Sequence, residues 1–493
     1  MEHGFPDPDA ADNIAHNPSF GELRRFSREM ETATEFGSPA YVSEQRSRSA
    51  DRTKNTVDHT FSDSDMSDIE AARRMLQTDR FVCVDRRLGR HPAASYTCRL
   101  FVPEQYARIA LSWAKLLEPA GDAQPDMYTL QVPRWEETKI RVFADDGVTY
   151  VLGSDYTGEA KKSFLRLFMY RAKQGGGLGL HAGSKRVTVR NGSDLETVGQ
   201  VFLGLSATGK STLTSHGLWL DPPEQAVMLQ DDVCAFLPGG TIAGSEGNGL
   251  YIKTIDLSAE EQPELYHAAT QSHTVLENVA VAEDGTVDFG DDTLTSNSRA
   301  TILREDLESA ADDIDLERVD QLFFITRNPV MPVIARLSTV QAAAAFMLGE
   351  SIQTSAGDPE KAGEPIRVVG TNPFIMGSKG EEGNRLLDLL EAHDIDAYVL
   401  NTGYIGDGQE RPVDVEHTVT VLEAVARGDI DWQEAGYTGF EVPEAVPGLD
   451  IARFRPRQYF DDFAERVADE RQDRAAYLAE FDDLDPRIAE AVY

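Results

Sequence analysis

Gly204-Leu205-Ser206-Ala207-Thr208-Gly209-Lys210-Ser211 satisfies G-x-x-x-x-G-K-[ST] at every fixed position. Ahead of it, Val198-Gly-Gln-Val-Phe-Leu203 is apolar enough for a buried strand. Behind it, Ser211-Thr212-Leu-Thr-Ser-His216 suits a first helical turn. The motif needs that strand–loop–helix context. Glycines let backbone N–H groups curl around phosphate oxygens, the helix start adds positive potential, and Lys210 reaches the terminal phosphates. Ser211 would place its hydroxyl on the divalent metal that travels with a nucleotide. The chain is therefore expected to contain a mononucleotide-binding α/β lobe.

Working outward, Ala226-Val-Met-Leu-Gln230 reads as a strand that delivers Asp231 and Asp232 at its carboxyl edge, where ligands sit in open α/β sheets. Residues 244–257 are Gly-rich and hairpin-like and carry Lys253. Gln321-Leu-Phe-Phe-Ile-Thr326 is another buried strand, and Ser338-Thr-Val-Gln341 a capping box that opens an Ala-rich helix. Residues 386–393 form a helix that feeds the strand Ala397-Tyr-Val-Leu400, and from 459 onward the chain is charged amphipathic helix. Upstream, residues 1–20 are polar, hold three prolines and show no period, so they read as a tail. Helix is expected over 25–31, 69–77 and 106–117, a strand at Phe81-Val-Cys-Val-Asp85, and a hairpin of Ile140-Arg-Val-Phe143 with Val148-Thr-Tyr-Val-Leu152. The fold class is α/β and bilobal: an N-terminal α/β lobe over 21–177 on the substrate side, then a P-loop lobe with mixed sheet over 178–493, ending in helices.

Composition narrows the partners. The 493 residues carry a formal charge of -37, with a pI near 4.6. Only eleven of the 47 basic residues are lysines. Acid spread along the whole chain with lysine so scarce points to a halophilic protein adapted to molar salt, and argues against nucleic acid or an anionic membrane as partner. A hydrophobic content of 41% in periodic runs excludes an acidic disordered chain. Cys83, Cys98 and Cys234 are too few and too scattered for a disulfide framework or a CxxC metal site. No run of 18 apolar residues occurs, and Met-Glu-His-Gly-Phe-Pro-Asp is unlike a signal peptide, so a cytoplasmic protein is expected.

Four of the eleven lysines, Lys161, Lys162, Lys210 and Lys253, stand in chemically suggestive places. In a chain that otherwise uses arginine, this points to something guanidinium does not do. An amine that loses its proton when desolvated can ligate a metal.

The ordered set Tyr156-Thr-Gly-Glu-Ala-Lys161-Lys162, Leu180-His181, the 204–211 loop, Asp231-Asp232, Tyr251-Ile-Lys253, Glu277-Asn-Val, Thr295-Ser-Asn-Ser-Arg299 and Asn401-Thr-Gly403 resembles phosphoenolpyruvate carboxykinase, in its ATP-dependent branch, from about residue 81 to about 425. The resemblance implies conversion of oxaloacetate and ATP to phosphoenolpyruvate, CO2 and ADP, a step of gluconeogenesis; a monomer is expected. It implies that Lys162, His181 and Asp232 ligate Mn2+, and that Tyr156, Lys161, Lys162 and an N-terminal arginine meet the organic acid. Lys210 and Ser211 would hold ATP with its Mg2+, together with Gly204, Leu205, Ser206, Ala207, Thr208, Gly209 and Thr212. Lys253 and Arg299 would neutralise phosphoryl charge, and Arg411 would pack near adenine. The chain departs from the family pattern in five places. Ala207 replaces a third glycine. Ala182-Gly183-Ser184-Lys185 replaces Cys-Ser-Ala-Asn after the histidine. Gln262 stands where a nucleotide-contacting glutamate is expected. The substrate arginine is Arg48 or Arg46, in an island that otherwise reads as a solvated turn. The adenine-side threonine is matched by Thr418 or by His417. An alternative activity is a kinase of the same fold acting on another acid or on a protein.

Overall fold

A computed structural model describes residues 4–47, 49–205, 208–352, 364–436 and 439–493; Arg48, Ser206 and Ala207 lie outside them. The chain divides into two compact units. The first is Met1–Arg171 with Ser245–Glu308, the second Ala172–Gly244 with Ser309–Tyr493. The sequence reading drew one cut near Gly177; the excursion 245–308, which carries Lys253, Gln262 and Arg299, instead belongs with the first unit.

The first unit holds an eight-stranded mixed sheet. Its order is Ile14–His16, Phe81–Leu88, Tyr96–Pro103, Met127–Val132, Val148–Leu152, Lys139–Phe143 and Thr53–Asn55, with Glu118–Pro119 set off the second of these. A five-stranded sheet follows, in the order Gly249–Lys253, Arg299–Leu303, Val275–Glu277, Pro39–Tyr41 and Thr32–Ala33. The expected hairpin is present, Val148 pairing with Phe143. Residues 1–20 are not a tail from Gly4 onward. Phe5 is buried and stacks on Phe101, Tyr128 and Tyr150, and Ile14 pairs with Phe81. One aromatic among prolines supplies the apolar area that periodicity failed to reveal. The Ser/Asp run at 60–68 is a cap: Ser62 and Asp65 form a capping box at the start of the helix Asp63–Thr78. Helix Ala107–Leu116 is buried along its whole length, so its apolar face has no polar counterpart in water.

The second unit is built on an eight-stranded sheet ordered Gln225–Gln230, Ala182–Asn191, Asp194–Leu203, Gln321–Thr326, Asp396–Asn401, Ile334–Leu337, Glu441–Ala445 and Asp431–Glu434. The strands 194–203, 321–326 and 396–401 run parallel, and where they pair, from Gln200 in the first of them, they are buried on both faces, as strands covered on both sides must be. The helix Thr339–Leu348 opens on the Ser338–Gln341 capping box and packs its alanines into this core. Leu203, Gln230 and Asn401 all end at the same edge of the sheet, and the antiparallel strand Ala182–Asn191 begins there, Ala182 opposite Leu203. Four chain segments thus turn at one carboxyl edge.

Candidate active site

At that edge the strand Asp194–Leu203 gives way to the 204–211 loop. Gly204 is required there: a Cβ would meet Thr208 Oγ1 at 2.6 Å and Ile325 Cβ at 3.1 Å. Gly209 has φ +93°, a conformation that side chains resist, and it leads into the helix Lys210–Ser215. Thr208 Oγ1 donates to Leu205 O at 2.8 Å, while Thr402 Oγ1 donates to Thr208 O at 2.7 Å. Asn401-Thr-Gly403 is thereby a brace for the loop. Lys210 is buried, and its Nζ donates to Asp231 O at 3.0 Å; Ser211 and Thr212 are exposed.

Beside the loop, His181 Nδ1 lies 2.8 Å from Thr371 O and Nε2 lies 3.2 Å from Asp232 Oδ1. A carbonyl only accepts, so Nδ1 carries the proton and Nε2 of the neutral ring presents a lone pair to a carboxylate oxygen. Two acceptors that close call for a cation or a second proton between them. Asp231 Oδ1 is in addition buried without a hydrogen-bond partner among the described residues. Imidazole and carboxylate, with a carbonyl fixing the tautomer from behind, form a donor set that fits a divalent transition metal.

Arg411, His417 and Thr418 of the same unit also have defined surroundings. The Arg411 guanidinium lies over the Phe454 ring at 4.1 Å, and the His417 ring meets the same phenyl edge-on at 4.8 Å. Thr418 is buried and its hydroxyl donates to Val415 O at 2.9 Å, whereas His417 Nδ1 accepts from Asp414 N-H in the helix cap. Burial and Arg411 hold the His417 imidazole below its usual pKa.

In the first unit Tyr251 is a hub. Lys161 Nζ and Arg299 Cζ lie 5.7 and 5.5 Å from its ring centroid, the Tyr156 ring tilts against it at 6.3 Å, and its hydroxyl donates to Glu277. Lys161 is buried in an ion pair with Glu246 at 2.7 Å; Lys162, next on the helix Thr157–Gln174, is half-buried. Lys253 ends its strand opposite Arg299. Burial, and then the Arg299 charge, push the Lys253 amine down to about 8. Asn297 joins these groups: Nδ2 donates to Tyr156 Oη at 3.1 Å and to Arg46 O at 2.8 Å, and Oδ1 accepts from Arg299 at 2.7 Å. Fully buried Arg108 salt-bridges Glu277 at 3.0 Å and Asp155 at 2.7 Å, and Asp155 accepts from the N–H groups of Glu44 and Gln45 at 3.0 Å. The loop that carries Arg46 is thus tied to the start of the lysine helix. Arg46 itself donates to Leu294 O. Gln262 occupies the position before the helix Pro263–Ala269, with no side-chain hydrogen bond to its first turn.

The model of the phosphoenolpyruvate carboxykinase family matches residues 38–452. The chain belongs to that family. It is 37% identical over 475 residues to a protein of Aeropyrum pernix named phosphoenolpyruvate carboxykinase (ATP), with 94% of each chain covered. A protein of the same name from Mesorhizobium japonicum is 30% identical over 391 residues, which span 75% of this chain and 69% of that one.

Several residues at these sites had no role in the sequence reading. Asn297 was inside a quoted block, and its link to Arg46 spans 251 positions. Thr371 contributes a backbone carbonyl, which no side-chain pattern announces. Glu246 has no signal in the sequence beyond its charge, and Thr402, inside the quoted 401–403 block, gains its role only from Thr208 O.

Proposed function

We propose that this member of the family is an ATP-dependent phosphoenolpyruvate carboxykinase, a carboxy-lyase that turns oxaloacetate and ATP into phosphoenolpyruvate, CO2 and ADP in gluconeogenesis. The observation that carries the reading is the pairing, at one sheet edge, of a phosphate-binding loop with a histidine and a carboxylate that face each other ready for a cation. Mn2+ held by Lys162, His181 and Asp232, with Mg2+ on Ser211, would supply Lewis acidity toward the substrate carbonyl and the phosphates. The rest falls to side chains. Tyr156, Lys161 and an arginine of the 46–48 island bind the carboxylates of oxaloacetate. Loss of CO2 leaves an enolate rather than a free carbanion, and the enolate oxygen attacks the γ-phosphorus in line as ADP departs. Lys210 holds the terminal phosphates, with Gly204, Leu205, Ser206, Ala207, Thr208, Gly209 and Thr212 around them. Lys253 and Arg299 neutralise charge on the moving phosphoryl group. Gln262, Arg299, Arg411 and Thr418 complete the nucleotide contacts.

Purified protein given oxaloacetate, Mn2+ and ATP is expected to release CO2 and phosphoenolpyruvate in equal amounts, and to prefer ATP to GTP in kcat/KM. Adenine donates from its amino group where guanine presents a carbonyl, so a site built for one leaves buried polar groups unpaired with the other. The mismatch amounts to about one to two decades. ATP turnover without CO2 release would favour the kinase alternative, and a ratio at or below one would overturn the nucleotide assignment.

The halophilic, cytoplasmic reading draws support from where the lysines lie. Of the ten among the described residues, only Lys379 is exposed; the surface cations are arginines. All three cysteines are free and buried, which suits a reducing compartment. Screening reaches about 10 Å in 0.1 M salt and about 3 Å in 1 M. Acidic self-repulsion should therefore lower the melting midpoint in dilute KCl relative to molar KCl. Equal midpoints would sink the halophile reading.

A further inference from the structure

Lys185 is fully buried on the strand Ala182–Asn191, and its Nζ donates to the carbonyls of Leu213 and His216, the latter at 2.5 Å. Those carbonyls belong to the end of the helix Lys210–Ser215, whose C-cap is His216. A helix of six residues has almost no stability of its own, and its last carbonyls have no following turn to accept from. An amine that spans two of them satisfies both and, when charged, complements the negative end of the helix. Burial alone pushes the amine down to about 7, and no carboxylate answers it among the described residues. The Phe202 ring lies 5.8 Å from Nζ. The helix has a second seat on the same strand. At Gly183 a Cβ would meet Thr214 Oγ1 at 2.3 Å, so only glycine allows this approach. Alternation along the strand Ala182–Asn191 puts residues 183 and 185 on one face. The two contacts that seat the loop helix thus share one side of the strand that immediately follows His181, the residue that faces Asp232.

We propose that Lys185 is a positioning residue for nucleotide binding: it locks the helix behind the phosphate-binding loop onto the strand that follows His181, and so sets where Lys210 and Ser211 stand. Gly183 and Lys185 are two of the positions at which the chain departs from the pattern it otherwise follows, and the geometry makes them one device. The inference rests on the reading of residues 204–211 as the nucleotide site.

The test uses the full-length chain and Lys185→Met, which keeps the length and apolar stem but removes the N–H donors. Methionine relieves the cost of a buried amine, so the variant should melt at or above the wild-type midpoint. MgADP affinity, measured by calorimetry, should fall about tenfold, with the KM for ATP rising in step and the KM for oxaloacetate within about twofold of wild type. In the nucleotide-free protein, amide exchange at Leu213 and His216 should accelerate. If wild type binds no MgADP, the nucleotide reading fails and takes the inference with it. If wild type binds and the variant binds equally well, the inference alone is overturned. A fall in melting midpoint with both KM values rising together would mark a merely structural lysine and would also overturn it.

Discussion

Lys253→Met should lower kcat by about 10² to 10³ while ATP binding changes only a few-fold. The distinction follows from the position of the residue. Lys253 ends a strand in register with Arg299, and Arg299 is itself held by Asn297 and the Tyr251 face. Burial first, and repulsion from the Arg299 cation second, hold the Lys253 amine near 8 rather than at its ordinary value in the resting protein. Phosphate charge relieves the repulsion, and most strongly as charge gathers on the transferring group, so the interaction is spent in the transition state rather than on binding. The pH dependence has a defined sign. A depressed lysine is charged below its folded pKa and neutral above it, so kcat/KM for ATP should decline as pH rises through about 8. With nucleotide bound, the phosphates favour the ammonium, and the descending limb of kcat should lie at higher pH. A kcat near wild type in the methionine variant, or coincident limbs in the two profiles, would remove Lys253 from phosphoryl transfer.

The second large effect is on metal. Asp232→Asn preserves shape but replaces an anionic oxygen with a neutral amide. Paramagnetic titration should show Mn2+ affinity reduced by at least about 100-fold, with no appeal to activity. In wild type the carboxylate faces the Nε2 lone pair at 3.2 Å because Thr371 O claims the proton on Nδ1. In the variant the amide N–H₂ can donate to Nε2, so the ring gains a neutral partner and the cation loses two ligands at once. The folded state should therefore persist while the metal is lost. Unchanged Mn2+ affinity would mean that the histidine–carboxylate pair is held by a proton alone.

The legible parts of the molecule were those in which chemistry and local geometry coincide. The 204–211 loop could be read because its glycines, lysine and flanking strand and helix are contiguous, and Asp231-Asp232 because an apolar run ends on them. The Ser338–Gln341 capping box likewise needs only four residues. What escaped depends on distant partners. Phe5 belongs to a core built from residues about a hundred positions away. The excursion 245–308 joins the first unit through strand pairing of Val275–Glu277 with Pro39–Tyr41, which no local period encodes. Arg108 lies in the helix expected over 106–117, which gave it no role, yet it is buried between two carboxylates. Lys185 was visible only as a departure from a pattern; its two carbonyl partners made it intelligible. The choice between Arg46 and Arg48 stays with the sequence, since Arg48 lies outside the described residues.

The inward placement of lysine has a consequence for covalent chemistry. An acylating or glycating electrophile seeks an unprotonated amine that it can reach, and most proteins offer dozens of interchangeable ones. Here the outer surface presents guanidinium, which such reagents leave alone, and Lys379 is the exposed exception among the described lysines. The half-buried Lys253, its amine held down to about 8 by burial and by Arg299, carries a larger unprotonated fraction at neutral pH than an ordinary lysine. Acylation that would be spread harmlessly over another protein should therefore fall here on a residue proposed to act in phosphoryl transfer, and bound nucleotide, by favouring the ammonium, should slow it.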